Sequence, residues 1–455
     1  MKLHGKRVAV AGMAKSGLSV ARAVQALGGM ATVFDQKQAD SPAILQAMDE
    51  LHAMDVQAVP GWHGRLDPAD FDLLVVSPGF PRDHPALHDM SQREVIGEIE
   101  FAFRISRDPI VAITGTNGKS TTTVLAWTLL TAAGRNAVLC GNIAGSGYPE
   151  VTLTDAAFDG GDVLVAEVSS FQLETVKTFR PFVAAITTVA PDHMDRHPSY
   201  EDYVQTKLRL FMNMGASDVV VINRDDESLT PEQFPEEPRK VRFSPSGRNP
   251  TNGFTARLSD ALFLSGHQVN TSSIPLLGEH NIANAMMAWE MACAVLGEAT
   301  QEQTDEMLSA LLSFKGLANR MEIVGERAGV LVVNNSMCTN PAAVVASSAG
   351  LKRRQRLILG GNRKQLDFAP VGDYLKTMDH AAYLFGPDTE GLNRQLQASW
   401  PSFHTMQEAF AAAANDAESG DAVVLMPGCA SAEPYANFRE RGDAFKAMAQ
   451  EWIAS

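Results

Sequence analysis

Glycines, a lysine and two hydroxyl residues stand together between residues 110 and 123, where the chain reads IVAITGTNGKSTTT. An apolar run typical of a strand leads into a glycine-rich turn, and a helix can begin directly after it. The main-chain N–H groups of Gly115 to Lys119 can point into one concavity, to which the helix N-terminus and the Lys119 ammonium add positive charge. The hydroxyl of Ser120 or Thr121 is then placed to bind a phosphate-bound Mg²⁺. We therefore predict a phosphate cradle rather than a turn with chance glycines.

Groups that can bind a metal follow two later strands. The predicted strand Val163–Ala166 ends in Glu167, and a carboxylate at a strand's end opposite a phosphate loop is well placed for Mg²⁺. The predicted strand Ala184–Thr188 leads to His193, and a helix after it carries Lys207. A lone histidine or lysine in such a place is usually a solvated surface residue. Glu167, His193 and Lys207 taken together, and not the histidine or the lysine alone, indicate a metal-binding site.

The elements that must position these residues begin with a βαβ unit in the first 35 residues. It comprises a strand Arg7–Ala11, a turn from Gly12 to Gly17, a helix through Ala26 and a strand Ala31–Phe34 that ends in Asp35. The turn has the spacing G-x-x-x-x-G in place of G-x-G-x-x-G, so it supports a dinucleotide site only weakly. The acidic residue at the end of the second strand still suits a contact with a ribose or a base.

Other apolar strands also run into polar or glycine-rich turns, as in open α/β sheets that bind ligands at the carboxyl ends of their strands. Strands alternating with helices indicate parallel sheets in both halves of the chain. These strands and turns are Leu73–Val76 before Ser77-Pro78-Gly79, Val330–Val333 before residues 334–340, Arg356–Leu359 before residues 360–364, and Ala422–Leu425 before residues 427–431.

Length and composition limit the class of protein. A chain of 455 residues is too long for one core, so we expect two to four domains. The net charge of −15 argues against a broad nucleic-acid surface, and four scattered cysteines without a C-x-x-C pattern argue against a zinc site or a disulfide framework. No signal peptide and no apolar run of membrane-spanning length precede or interrupt the pattern, so we expect a cytoplasmic protein without membrane insertion. The polar, proline-rich stretch Pro231–Thr251 is expected to be a surface excursion.

The compact sequence TGTNGKST, which has Ile113 where the general phosphate-loop spacing requires glycine, resembles the ATP loop of the Mur ligase family. That family also includes the folylpolyglutamate synthetases. The rest of the chain is similar to the family in the order and approximate spacing of its motifs. The matching segments are EVSSFQLE at 167–174, DHMDR at 192–196, KLR at 207–209, LGEHNIANA at 277–285, NRME at 319–322 and FRERG at 438–442.

The resemblance implies an α/β protein of three domains. They are a Rossmann-like N-terminal domain (1–97) that binds the UDP moiety, a central P-loop ATPase domain (98–316) and a Rossmann-like C-terminal domain (317–455) for the incoming amino acid. The implied activity is that of an ATP-dependent, ADP-forming amide ligase. It is closest to the branch that adds D-glutamate to UDP-N-acetylmuramoyl-L-alanine through an acyl phosphate, in peptidoglycan precursor synthesis. The implied cofactors are ATP and Mg²⁺, with two ions, and the protein is expected to be a monomer with small-molecule substrates.

The resemblance also assigns residues to roles. Catalysis is assigned to Lys119, His193, Lys207 and Lys364. ATP binding is assigned to Gly115, Thr116, Asn117, Gly118, Lys119, Ser120, Thr121, Asn281, Asn284, Arg320 and Asn335. Binding of the UDP-linked substrate is assigned to Ser16, Gly17, Asp35, Ser77, Pro78, Gly79 and Asn142. The amino acid is assigned to Thr339, Lys364, Ser431 and Phe438, and the metal ions to Ser120, Glu167, His193 and Lys207, the last if it is carbamylated.

The chain departs from the family pattern after the strand Val330–Val333. The family sequence Asp-Ser-Lys-Ala-Thr-Asn is replaced by Asn335-Ser-Met337-Cys-Thr-Asn340, so an acid and a lysine are lost together, and Asn319 replaces a histidine. A lost cation leaves a carboxylate contact unpaired, at a cost of roughly 1.5–3 kcal/mol. A ligase of the same type with another amino acid, for example L-glutamate, or another acceptor therefore stays open. So does a nucleotide-binding regulator without catalysis, although such a protein need not keep metal-binding residues. A folylpolyglutamate synthetase would lack the UDP-type first domain, and an NAD-dependent oxidoreductase would explain only the first βαβ unit.

Overall fold

A computed structural model describes residues 1–194, 196–363, 366–377 and 379–455. Contacts divide the chain into two compact units. The first comprises Met1–Ala144, Tyr148–Ser273 and Ala283–Leu312, and the second comprises Gly145–Gly147, Ile274–Ile282 and Ser313–Ser455. Within the described part of the chain, no helix is both long and apolar enough to cross a membrane.

The first unit begins with a five-stranded sheet of parallel strands in the order β3-β2-β1-β4-β5. From β1 the chain first adds β2 and β3 on one side and then β4 and β5 on the other, so the strand order reverses between β1 and β4. The carboxyl ends of these two adjacent strands form the switch point at which such sheets bind ligands. The strands are β1 (Arg7–Ala11), β2 (Met30–Phe34), β3 (Gln57–Val59), β4 (Leu73–Val76) and β5 (Glu94–Gly97), and the helices are α1 (Lys15–Ala26), α2 (Pro42–Ala53), α3 (Pro85–Asp89) and α4 (Glu98–Ile105).

The second sheet of this unit has six parallel strands in the order β11-β10-β9-β6-β8-β7. The strand that precedes the predicted cradle, β6, is central and wholly buried, with β9 on one side and β8 on the other. The strands are β6 (Ile110–Thr114), β7 (Ala137–Gly141), β8 (Val163–Glu167), β9 (Val183–Ile186), β10 (Val219–Asn223) and β11 (Arg239–Phe243). The helices are α5 (Lys119–Ala132), α6 (Leu153–Asp159), α7 (Ser170–Leu173) and α8 (Tyr200–Leu208).

A small antiparallel sheet follows, formed by β12 (Thr255–Leu258), β13 (Ala261–Leu264) and β14 (His267–Asn270). The buried Glu290 carboxylate, on the helix that follows this sheet, accepts hydrogen bonds from Phe254 N (2.8 Å) and Thr255 N (2.7 Å) and so connects the sheet to that helix. The next helices are α9 (Glu279–Leu296) and α10 (Gln301–Ser313).

The second unit contains a six-stranded sheet in the order β15-β16-β20-β17-β18-β19, in which only β15 runs antiparallel to its neighbour. Apolar residues cover both faces of this sheet. The strands are β15 (Glu322–Arg327), β16 (Val330–Asn334), β17 (Gln355–Gly360), β18 (Ala381–Phe385), β19 (Ser402–Phe403) and β20 (Ala422–Gly428). The helices are α11 (Pro341–Ala349), α12 (Ala369–Leu375), α13 (Thr389–Leu396), α14 (Met406–Asp416) and α15 (Phe438–Ala454).

The predicted strands that lead into candidate sites are confirmed, with ends shifted by one or two residues in most cases and by three at the end of β20. The expected surface excursion at 231–251 is wrong in part, because β11 lies within it. Although β11 reads RKVRF, it pairs in parallel with β10 and buries Val241 and Phe243. Three basic residues hide this edge strand in the sequence.

Candidate active site

The turn between β6 and α5 accepts only glycine at two positions. Gly115 and Gly118 have φ angles of 145° and 83°, which other residues rarely adopt. A Cβ at Gly115 would lie 2.0 Å from Thr187 Oγ1, and one at Gly118 would lie 2.5 Å from Asn284 Oδ1. The loop is therefore packed between β9 on one side and α9 on the other, and α5 begins directly after it at Lys119. This is a strand, a tight turn and a helix N-terminus in the geometry of a phosphate cradle.

Two of the five N–H groups predicted to line the cradle are bonded elsewhere. Thr116 N donates to Thr188 O (2.7 Å), and Asn117 N donates to Thr188 Oγ1 (3.1 Å). The physical reason is that β9 pairs with β6 and so brings Thr187 and Thr188 alongside the loop. That part of the prediction is wrong, because these two N–H groups already have acceptors within the protein.

Two lysines from distant parts of the chain meet at the same carbonyl. Lys119 Nζ donates to Gly115 O (3.1 Å) and Thr116 O (3.0 Å), and Lys207 Nζ donates to Gly115 O (2.8 Å). Lys207 is buried and lies over the Tyr203 ring, 4.5 Å from its centroid. Burial, reinforced by the Lys119 charge, lowers the pKa of Lys207 to about 7. A lysine in this state has a substantial neutral fraction at neutral pH.

Glu167 ends β8 beside the cradle, because its strand pairs with β6 at Ile113. Its side chain is buried, and Oε1 accepts a hydrogen bond from Asn142 Nδ2 (3.2 Å). The structure thus places Asn142, which we expected at the UDP-linked substrate, next to the candidate metal-binding carboxylate. Ser120 and Thr121 occupy the first turn of α5 and are buried.

These donors fit a magnesium ion bound mainly to a phosphate. Among the described residues, no group of three His, Cys, Asp or Glu side chains is arranged to hold a metal. The carboxylate of Glu167 and the hydroxyls of Ser120 and Thr121 are hard oxygen donors, and the His193 imidazole would add a nitrogen. Mg²⁺ typically takes one or two such ligands and completes its shell with phosphate oxygens and water.

His193 lies on the loop after β9 and is about half exposed. Its φ angle of 54° is unusual for a residue with a side chain, and its main-chain N–H donates to Asp192 Oδ1 (2.9 Å). The imidazole packs against the Phe171 ring, with centroids 5.0 Å apart. His193 thus lies at the same edge of the sheet as Glu167, where the carboxyl ends of β8 and β9 are found.

At the switch point of the first sheet, three residues fit together closely. A Cβ at Gly17 would lie 1.8 Å from Gly12 O, and a Cβ at Gly12 would lie 2.5 Å from Ser77 Oγ. Among the described residues, the buried Ser77 Oγ has no hydrogen-bond partner. Asp35 accepts hydrogen bonds from Met13 N (2.7 Å) and Lys37 N (2.9 Å), so it braces the turn that precedes α1. Of the other residues expected here, Ser16 lies in the first turn of α1, and Pro78 and Gly79 follow Ser77 in the turn after β4.

In the second unit, the residues that depart from the family pattern lie together at the end of β16. Arg320 Nη2 lies 3.2 Å from Met337 Sδ, where the family carries a lysine. Asn335 Oδ1 accepts from Met321 N (3.2 Å), whereas no hydrogen-bond partner is described for its buried Nδ2. The amide thus offers a donor where a carboxylate would offer an acceptor. Asn281 donates through Nδ2 to Leu277 O (2.8 Å) in the same unit.

The loops expected to hold the amino acid are fastened by a residue that sequence reasoning missed. Arg441, on α15, is buried and donates to Ser336 Oγ (3.0 Å), Ser336 O (2.8 Å) and Cys429 O (3.1 Å). It therefore joins the loops after β16 and β20. Burial lowers its pKa to about 10, and it stays protonated at neutral pH. The sequence indicated Arg441 only through its place in the family-like segment FRERG at 438–442.

The residues assigned to the amino acid are distributed as follows. Thr339 is half-buried after β16, and Phe438 begins α15 with its main-chain oxygen accepting from Ser336 Oγ (2.8 Å). The hydroxyl of Ser431, after β20, is buried with no partner among the described residues. Lys364 lies outside the described residues.

Comparisons with known proteins cover nearly the whole chain. Residues 6–97 match the family model of the Mur ligase MurD-like N-terminal domain, residues 113–292 the Mur ligase middle domain, and residues 319–429 the Mur ligase glutamate ligase domain. Two relatives, each a UDP-N-acetylmuramoylalanine–D-glutamate ligase, come from Caldanaerobacter subterraneus subsp. tengcongensis and Trichlorobacter lovleyi. Each is 36% identical, with 98% of both chains covered.

Solved structures of more distant proteins share the fold. A pseudomurein peptide ligase type C from Methanothermus fervidus matches with a TM-score of 0.57 at 17% identity, covering 98% of this chain and 100% of the other. The ligase MurF from Thermotoga maritima, solved in complex with ADP, matches with a TM-score of 0.57 at 14% identity, covering 93% of this chain and 96% of the other. The predicted α/β architecture of three domains is confirmed.

Proposed function

This chain belongs to the Mur ligase family, and we propose that it joins D-glutamate to UDP-N-acetylmuramoyl-L-alanine while converting ATP to ADP and phosphate. The two relatives that are named for this activity match 98% of the chain. The observation that carries the proposal is the meeting of Lys119 and Lys207 at the carbonyl of Gly115, beside the carboxylate-bearing end of β8. An ATP-dependent ligase needs a cation beside the transferred phosphoryl group, which Lys119 provides, and ligands for Mg²⁺ close by, a role open to Glu167 and to Lys207 as a carbamate.

The reaction needs no protein nucleophile. A carboxylate oxygen of the acceptor attacks the γ-phosphorus of ATP in line, the bond to ADP breaks, and an acyl phosphate forms. The amine of the incoming amino acid loses a proton and attacks the acyl carbon, and phosphate leaves. Lys119 balances charge on the transferred group, and the glycines of the cradle allow the backbone to approach it closely.

We propose two Mg²⁺ ions, held by Ser120 or Thr121, Glu167, His193 and Lys207 as a carbamate. Bound Mg²⁺ would neutralise charge on the phosphates during transfer. The carbamate forms when the neutral Lys207 amine attacks carbon dioxide and releases a proton, which turns a cation into an anionic ligand. The lowered pKa of Lys207 supports this step, because a protonated amine does not react. His193 then serves as a metal ligand and not as a free base.

The acceptor's UDP group is proposed to bind at the switch point of the first sheet, between the turns after β1 and β4. The strand order and the buried Ser77 hydroxyl, which has no hydrogen-bond partner among the described residues, support this proposal, because open α/β sheets bind ligands at the switch point. Asp35 stabilises the turn after β1 through its hydrogen bond with Met13 N. We further propose that a monomer carries out the reaction in the cytoplasm, where ATP is available.

The amino acid is proposed to bind in the second unit near Thr339, Lys364, Ser431 and Phe438. Asn281, Asn284, Arg320 and Asn335 are proposed to contact ATP. The contact of Met337 with Arg320 favours a second candidate, a ligase of the same type for L-glutamate or another amino acid. A thioether cannot pair with a substrate carboxylate as a lysine does, which changes selectivity by roughly 1.5–3 kcal/mol.

Phosphate release from Mg-ATP, with mass analysis of the product, tests these proposals. UDP-N-acetylmuramoyl-L-alanine is supplied with D-glutamate, L-glutamate or other amino acids in parallel. We expect turnover with D-glutamate and a product heavier by one glutamyl residue. Turnover only with another amino acid would establish the second candidate. In that case the double variant Asn335→Asp/Met337→Lys should gain activity with D-glutamate. The control variant Met337→Leu should not gain this activity. Absence of turnover with every amino acid would contradict both.

A further inference from the structure

Arg196 joins the first sheet to the segment that carries His193. Its guanidinium forms two hydrogen bonds with Glu174, from Nε to Oε1 (3.1 Å) and from Nη2 to Oε2 (2.7 Å). Nη2 also donates to the main-chain oxygen of Phe80 (3.1 Å), in the turn after β4. A residue of the loop proposed to hold a metal thus contacts the turn proposed to hold the acceptor.

A second arginine near the first sheet binds the same Glu174 carboxylate. Arg82, two residues after Phe80, donates from Nη2 to Glu174 Oε1 (2.7 Å). Glu174 is 8% exposed, and its hydrogen bonds with Arg196 and Arg82 hold the pKa of its carboxyl below its usual range despite burial. The carboxylate therefore stays charged and bonded to both arginines at neutral pH. A buried charge held between two partners is costly to separate from either one.

The connection to the candidate catalytic residues is equally direct. The main-chain N–H of Arg196 donates to His193 O (3.0 Å). The Arg196 guanidinium lies 4.9 Å from the centroid of the Phe171 ring, and that ring packs against the His193 imidazole. A displacement of the Arg196 side chain therefore changes the environment of His193 through both the backbone and an aromatic contact.

We propose that Arg196 is a positioning residue that couples binding of the UDP-linked acceptor, at the turn after β4, to binding of Mg-ATP at the cradle. The inference rests on the proposed function. A group bonded to both loops transmits order in either direction, since a ligand that fixes one loop lowers the conformational cost of fixing the other. By linkage, each ligand must then tighten the other by the same factor.

Arg104 is a matched control in the same unit. Like Arg196 it is a largely buried arginine with charge-assisted hydrogen bonds, in its case to two carboxylates, Glu100 (2.7 Å) and Glu94 (2.8 Å), and it is 17% exposed compared with 18% for Arg196. No candidate site residue is among these partners. Arg104→Lys should therefore cost a similar amount of stability without changing the coupling between ligands.

The test is calorimetric titration of UDP-N-acetylmuramoyl-L-alanine into the full-length protein, with and without Mg²⁺ and a non-hydrolysable ATP analogue. We expect the analogue to tighten acceptor binding by about fivefold or more in the wild type and in Arg104→Lys. In Arg196→Lys, which keeps the charge but loses the fork geometry, the factor should fall below about twofold. Circular dichroism melting identifies variants that do not fold. If Arg196→Lys is one of them, Glu174→Gln replaces it with the same expectation.

Two results would overturn the inference. One is wild-type coupling in Arg196→Lys or in its replacement, and the other is independent binding of the two ligands to a wild-type protein that turns over. Failure of the wild type to bind the acceptor or to release phosphate would instead contradict the proposed function. The two failures are therefore distinguishable.

Discussion

The environment of Lys207 decides what chemistry this residue can perform. In water a lysine has a pKa near 10.4, so it is a cation at neutral pH. Here burial and the neighbouring Lys119 lower that pKa to about 7. The sequence indicated Lys207 only through its resemblance to a family motif. Its burial, and its bond to a carbonyl 92 residues earlier in the chain, follow from the contact of α8 with the cradle, where Tyr203 also hydrogen-bonds with Thr116, and could not be predicted from a Lys-Leu-Arg segment.

Replacement of Lys207 tests the carbamate. Lys207→Ala should lower kcat by about 100-fold or more, because a group that stabilises transition-state charge is lost. Acetate or formate should partly restore activity by supplying the missing carboxylate. In the wild type at fixed carbon dioxide, activity should rise with pH through about 7, as the amine becomes neutral.

Steady-state assays of the variants check this prediction. The exposed Lys352→Ala serves as a control that should behave like the wild type. If short carboxylates give no restoration and activity shows no rise near pH 7, Lys207 does not act as a carbamate.

At the scale of elements, the turn between β1 and α1 is the part of the first sheet most constrained by geometry. Gly17 lies in the first turn of α1, where a Cβ would collide with Gly12 O. The sequence predicted both the strand and the turn. It did not show that the second glycine is required for the helix to approach the strand, since G-x-x-x-x-G spacing by itself is a weak signal.

Gly17→Ala should therefore weaken binding of the UDP-linked acceptor by more than about tenfold, because the turn must move to make room. The free energy of unfolding should fall by roughly 1–3 kcal/mol, as in other overpacked sites. Titration calorimetry and urea unfolding measure the two effects. Gly215→Ala is the control, because its Cβ would be 3.4 Å from the nearest atom, an ordinary contact. Unchanged binding in Gly17→Ala would show that the turn does not touch the acceptor.

Elements with long apolar runs were predictable, whereas short edge strands were not. The central strands β6 and β8 are buried at every position, and their sequences, IVAIT and VLVAE, are almost entirely apolar. The edge strands β3 and β19 have three and two residues, and β11 is rich in basic residues. Such strands are defined by the neighbour with which they pair, and sequence periodicity carries little of that information.

At the scale of the whole molecule, three sheets repeat one arrangement, with candidate residues on loops at the carboxyl ends of parallel strands. The fold class and the family could be inferred from the order of motifs along the chain. The network around Arg196 and the three bonds of Arg441 could not, because they join residues up to 116 positions apart. Sequence also predicted too many free N–H groups in the cradle, since it could not show that Thr188 would occupy two of them.

The central claim is that this site transfers the γ-phosphoryl group of ATP to the acceptor's carboxylate. The most direct measurement uses UDP-N-acetylmuramoyl-L-alanine labelled with ¹⁸O in both oxygens of the alanyl carboxylate, with Mg-ATP and the amino acid that supports turnover. If an acyl phosphate forms, one labelled oxygen leaves with phosphate, so mass spectrometry should find one ¹⁸O atom in each phosphate released. Release of phosphate without the label, at a rate that matches product formation, would contradict the account.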